Sequence, residues 1–210
     1  MTSIKSLSSS PDRAGRYTVL LDSGEKLRLY RQTVEDFGLY PDMELDEAAM
    51  NGLLTAAGQM SAKMRAVRIV SASSVSSRDL EARLVRKGED PQQAKEAVAW
   101  MEDLHLVDDR ATAEQVVSSC ISKGYGLARA KQALYEKRIP KEYWDEVLAD
   151  YPDQTEKITA FLKSRLDADS DEKQVRRAVD ALIRRGHSYG TIRRALDALS
   201  FDTEDFQEEF

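Results

Sequence analysis

Catalytic chemistry in this chain would have to rest on very few side chains. Its 210 residues hold two histidines, His105 and His187, and one cysteine, Cys120. Neither histidine has a carboxylate at a telling spacing, and there is no Gly-x-Ser-x-Gly elbow, no P-loop and no His-Glu-x-x-His metal site. His105 follows Leu104 at a helix end, and His187 lies beside an expected C-cap, where the helix dipole would favour an imidazolium. Both read as structural. A lone cysteine makes no internal disulfide and no metal-ligand set, so Cys120 reads as a small buried apolar residue. Catalysis is not expected, nor is a metal or a cofactor.

What recurs is positive charge. Arg86-Lys87, Lys137-Arg138 and Arg184-Arg185 close three copies of one pattern: Leu84-Val85-Arg86-Lys87-Gly88, Leu134-Tyr135-Glu136-Lys137-Arg138 and Leu182-Ile183-Arg184-Arg185-Gly186. Cations at a helix C-terminus gain about 0.3–1 kcal/mol each with no partner at all. That local reason does not cover Arg129, Lys131, Arg176, Arg177, Arg193 and Arg194 nearby. On stacked repeats the twelve would join in a discontinuous stripe for a negatively charged partner; the alternative is a solvated face.

The elements that carry these cations are helical. Six residues after each pattern stands Ala94, Trp144 or Ile192, and ten residues after it Val98, Leu148 or Leu196, a four-residue spacing of apolar positions. A tandem unit of two or three helices buries its apolar face only against neighbours, so an elongated, monomeric array is expected. Trp100 and Trp144 fall on core positions rather than on a base-stacking surface.

Other signals fix the frame. Tyr17, Val19 and Leu21 alternate with Thr18, Leu20 and Asp22, then Asp22-Ser23-Gly24-Glu25 turns the chain into Leu27 and Leu29, which predicts a β-hairpin. Ile4 and Leu7 suit a further strand, since two strands alone are marginal. A helical turn is expected over Thr33–Phe37. Asp46 then caps a long helix with Leu53, Ala57, Met60, Met64 and Val67 as its apolar stripe. The serines at 71–77 suggest a hinge, and Ser76 with Asp79 a cap for the next helix. Asp90-Pro91 opens another, Asp108-Asp109 caps one that runs to about Ser122, and Asp167-Ala168-Asp169-Ser170-Asp171 reads as a linker and cap before the last repeat. These signals divide the chain into an N-terminal hairpin and helix (1–74), helical repeats at 75–124, 125–167 and 168–201, and an acidic tail (202–210).

Net charge is −6, which argues against gripping nucleic acid through bulk charge. The balance shifts along the chain: residues 61–138 carry 14 basic against 11 acidic side chains, whereas 139–210 carry 11 against 17. A bipolar surface follows. No apolar run is long enough to span a membrane, and Met1-Thr2-Ser3-Ile4-Lys5 lacks the apolar core of a signal peptide, so the cytoplasm is the expected compartment.

The triple pattern, with Ser77-Arg78-Asp79-Leu80, Asp108-Asp109-Arg110 followed by Ala113, Lys123-Gly124 leading to Ala130 and Ile139, and Gly186-His187-Ser188, resembles the RecX family of bacterial regulators of the RecA recombinase. The resemblance runs from about Ser76 to Leu199. Three positions depart from the family's pattern: Thr112 replaces an aromatic, Arg138 a glycine and His187 a phenylalanine. The resemblance implies a mainly α-helical protein that sits in the groove of a RecA–DNA filament and represses ATP hydrolysis, strand exchange and co-protease activity, with at most weak contact to single- or double-stranded DNA. Two rivals remain. A helix-turn-helix DNA-binding protein would read bases at the start of a second helix, but the starts here, Asp90-Pro91-Gln92-Gln93, Pro140-Lys141-Glu142 and Ser188-Tyr189-Gly190-Thr191, match one another poorly. The other rival is an inert helical scaffold.

Overall fold

Period-two alternation at the N-terminus gives strands β1 (Thr2–Leu7), β2 (Arg16–Leu21) and β3 (Lys26–Tyr30), joined by the short β4 (Glu44–Leu45). They form one antiparallel sheet in the order β3-β2-β1-β4. In the hairpin Tyr17 pairs with Leu29 and Val19 with Leu27, and Gly24 takes φ +85° in the turn. The third strand that a hairpin needs is β1, with Ile4 opposite Leu21. Ile4, Val19, Leu21, Leu29 and Leu45 form a buried cluster closed by Leu53, with the helical turn α1 (Arg31–Asp36) leading to it. The computed structural model describes residues 1–167 and 169–199. The acidic run expected at 202–210 lies outside them.

Leu53 belongs to the long helix α2 (Glu47–Ala72), whose first turn is capped by the Asp46 carboxylate on the Ala49 N–H. Its apolar stripe differs from the one expected. Leu53 is fully buried, but Met60, Met64 and Val67 are only partly so, and the fully buried positions beyond Leu53 are Ala62 and Ala66. The helix serves two cores: its first half covers the sheet, and its second half packs on α3 (Ser77–Arg86) and α4 (Pro91–Asp103). Close approach to α4 requires small residues on that face, so alanines rather than methionines are enclosed. The serines at 71–77 therefore do not separate the N-terminal part from the repeats, since α2 carries both.

The chain divides into two compact units after Val107. The second holds α5 (Asp109–Ser122), α6 (Leu127–Glu136), a 3-10 turn at Lys141–Tyr143, α7 (Trp144–Leu148), α8 (Thr155–Lys163), α9 (Glu172–Arg184) and α10 (Tyr189–Asp197). Buried clusters group these helices in threes. Ala113 and Val117 of α5 pack with Leu134 of α6 and Trp144 of α7, while Ile158, Leu182 and Ile192 unite α8, α9 and α10. The repeats so defined begin one helix earlier than the expected boundaries at 125 and 168. The basic pattern closes α3, α6 and α9, the middle helix of each trio, so it marks the repeats without marking their starts.

The three patterns have one backbone geometry. Gly88, Arg138 and Gly186 have φ of +90°, +55° and +84°. Each donates its N–H three residues back, to the carbonyls of Val85, Tyr135 and Ile183. The following N–H, of Glu89, Ile139 or His187, reaches back to Leu84, Leu134 or Leu182 at 3.1, 3.0 and 3.2 Å. A left-handed residue is the usual way to end a helix while satisfying its last carbonyls, and glycine takes it at least cost. The residue after it is buried in all three copies.

Candidate functional site

Four arginines and a lysine converge in the first unit. Arg65 and Arg68 are three apart on α2, Arg83 and Arg86 three apart on α3, and with Lys87 they line a cavity of about 560 Å³ floored by Ile69 and Ala72. Helical spacing explains the convergence, because residues three apart share a face. Two of the five are committed. Arg65 pairs with the buried Glu89 at 2.8 Å, which also accepts from Ser61 Oγ, and donates to the Lys87 carbonyl at the end of α3. Arg83 pairs with Asp79 at 2.7 Å. Arg68 donates to neutral oxygens, the Ala14 carbonyl and the Tyr30 hydroxyl. Arg86 and Lys87 are exposed and pair with no carboxylate among the described residues. The cavity thus keeps about three uncompensated positive charges.

Arg86 and Lys87 came from the repeating pattern; Arg65, Arg68 and Arg83 were missed. Their signal was legible as two i,i+3 pairs, but only the contact between α2 and α3 places them on one concavity.

The other expected cations fare unequally. Arg129 is half-buried and bound to Glu136 at 2.9 Å, which holds the Glu136 carboxyl below its ordinary range. Lys131 and Arg194, on α6 and α10, line one cavity together. Lys137 and Arg138 lie exposed beyond the end of α6, Arg176 and Arg177 on α9, and Arg184 at its last position. Arg185 and Arg193 are half-buried rather than exposed, and Arg185 stacks on Phe161 at 4.7 Å.

Neither histidine is placed for acid–base work. His105 is exposed with φ +54° just past α4. His187 is buried, with Nε2 3.0 Å from the Gly124 carbonyl. Burial pushes its pKa down, which the Gly124 carbonyl opposes and Arg185 reinforces. The imidazolium expected there from the helix dipole is thus disfavoured. Cys120 is buried, and burial raises its thiol. Among the described residues no group of three His, Cys, Asp or Glu side chains is placed to hold a metal, and no helix is long and apolar enough to cross a membrane.

Tandem three-helix units, each ending its middle helix in the same left-handed turn beside basic side chains, define a helical-repeat protein. Residues 108–148 match the family model described as RecX, second three-helix domain. The regulatory protein RecX of Chlorobaculum tepidum is 30% identical over 140 residues, covering 65% of this chain and 86% of that one. That of Vibrio parahaemolyticus is 27% identical over 149 residues, covering 70% and 94%. A solved regulatory protein RecX superposes with a TM-score of 0.65 at 21% identity, covering 94% of this chain and all of the other. The chain belongs to the RecX family of regulatory proteins.

Proposed function

We propose that this protein regulates the RecA recombinase by binding the RecA–DNA filament as a monomer and restraining its ATP hydrolysis, strand exchange and co-protease activity. Family membership supplies the target. The observation that carries the site is the cavity between α2 and α3, with Arg68, Arg86 and Lys87 uncompensated around about 560 Å³ of space. Cations gathered in a concavity attract a negatively charged surface more strongly than the same charges scattered, and complementary charge sets encounter rate and register. Arg176, Arg177 and Arg184 of the second unit add exposed cations to the same task. Arg129 and Arg185, held by Glu136 and Phe161, are assigned to structure instead.

Contact with bare DNA through this cavity is weak and salt-sensitive, because few phosphates are neutralised by a chain of net charge −6. Cosedimentation with RecA filaments on single-stranded DNA tests the reading. Binding in the pellet that R86E/K87E weakens supports it. A tight, sequence-selective shift of duplex DNA without RecA at physiological salt replaces it with the transcription-factor reading.

A further inference from the structure

We infer that the open edge of β3 receives an extended segment of a partner protein in which acidic and apolar residues alternate. The sheet order β3-β2-β1-β4 leaves two edges, and β4 is only two residues long. The longer edge is β3, at five residues.

Register decides which backbone groups face outward. The Leu21 N–H donates to the Glu25 carbonyl at 2.9 Å, and along an antiparallel ladder pairs that exchange hydrogen bonds alternate with pairs that do not. Val19 with Leu27 and Tyr17 with Leu29 therefore exchange bonds, whereas Leu20 with Lys26 and Thr18 with Arg28 do not. Thr18 keeps this parity by turning to the other side: its N–H donates to Ser8 Oγ and its carbonyl accepts from the Ser8 N–H, both at 3.0 Å. The N–H and C=O of Lys26 and of Arg28 thus point away from β2. None of these four groups meets a partner among the described residues.

Such a row is a template for a further strand, whose main chain supplies affinity and whose alternate side chains supply specificity. The side chains of β3 select its sequence. Lys26 and Arg28 share one face of the sheet, are exposed, and pair with no carboxylate among the described residues. Leu27 stands half-buried on the other face, against the core that Val19 and Leu29 build. Residues two apart on the incoming strand lie on one face, so acidic residues opposite Lys26 and Arg28 alternate with apolar ones beside Leu27.

Charges on an edge strand ward off unwanted pairing. Both charges here are positive, so a second copy is repelled: a register centred on Leu27 sets each Lys26 opposite an Arg28. Nucleic acid fits poorly as well, since the outward carbonyls of both residues would face its phosphates.

This contact stands apart from the filament-binding reading, and its test contains no recombinase. The full chain, labelled with nitrogen-15, is titrated with the blocked peptide acetyl-Val-Glu-Val-Glu-Val-amide. Saturable downfield shifts and slowed hydrogen exchange are expected at the Lys26 and Arg28 backbone amides, with the Leu27 amide, already bonded to β2, shifting less. Methylating the backbone nitrogen of either Glu removes one edge bond and weakens binding at least about fivefold, while Gln for both Glu, or R28E in the protein, weakens it about threefold or more. The R28E spectrum otherwise matches the parent's, because that side chain is exposed. The proposal is overturned by absent shifts, by equal binding of the methylated or the neutral peptide, by R28E binding like the parent, by concentration-dependent shifts of the same amides without peptide, or by an oligothymidylate that displaces the peptide.

Discussion

Gly126 and Gly186 meet backbone to backbone: a Cβ on Gly126 would lie 2.1 Å from the Gly186 carbonyl oxygen, and one on Gly186 would lie 2.2 Å from the Arg129 nitrogen. The turn after α9 thereby docks on the start of α6, and His187 extends the contact to the Gly124 carbonyl. Gly186 also needs its positive φ, whereas Gly126 does not, so Gly126 tests close approach alone.

Replacing Gly126 with Ala should therefore destabilise the second unit by about 1–3 kcal/mol, the usual cost of overpacking. Gly190 is the control. An added Cβ there meets nothing within 4 Å, and Ala in a helix is favoured over Gly, so G190A should be neutral or stabilising by up to about 1 kcal/mol. Urea unfolding of the two variants checks both. Equal midpoints would show that the glycine contact is dispensable.

Arg138 stands left-handed where its two counterparts are glycine. Arg138→Gly should relieve that conformation and raise stability by up to about 1 kcal/mol, less the added freedom of the unfolded chain. A melting temperature clearly below the parent's would mean that the arginine side chain is holding the turn.

Acid should loosen the second unit through His187. Its folded pKa is depressed, chiefly by burial, so the unfolded chain takes up the proton first as pH falls below about 6.5. Stability is full above that value and is lost between it and the lower folded pKa. The carboxyls held low, Asp12, Asp22, Glu136 and Asp153, act only at more acid pH. Thermal melts from pH 7.5 to pH 5 should fall for the parent and less steeply for His187→Gln; parallel slopes would remove His187 from the account.

Charge reversal in the last repeat should separate surface from structure. R184E/R194E should leave helical content intact and shift stability by no more than about 0.5 kcal/mol. R185E should cost more, since it loses the stack on Phe161. Leu182→Ala and Ile192→Ala, at fully buried positions, should cost about 2–5 kcal/mol each. Circular dichroism melts order the four, and R185E melting like R184E/R194E would dismiss the stack.

Local rules carried most of the fold. The hairpin, the caps at Asp46, Ser76, Asp90, Asp108 and Asp171, and the left-handed turns at Gly88 and Gly186 all depend on residues within a few positions of one another. What sequence could not settle was pairing between helices. It does not reveal that α5 joins α6 and α7, that α2 encloses alanines where it meets α4, or that Arg65 and Arg68 come to face Arg83 and Arg86. Nor does it show that Phe161, twenty-four residues from Arg185, stacks on that guanidinium and half-buries it.

Restraint of RecA through basic surfaces that include Arg86 and Lys87, as proposed, is read out by RecA ATP hydrolysis on single-stranded DNA titrated with the protein. Slowing is expected at less than one chain per RecA, with R86E/K87E folded but at least about tenfold less potent. Hydrolysis unaffected by the parent protein at equimolar ratio, or slowed equally by R86E/K87E, would contradict it.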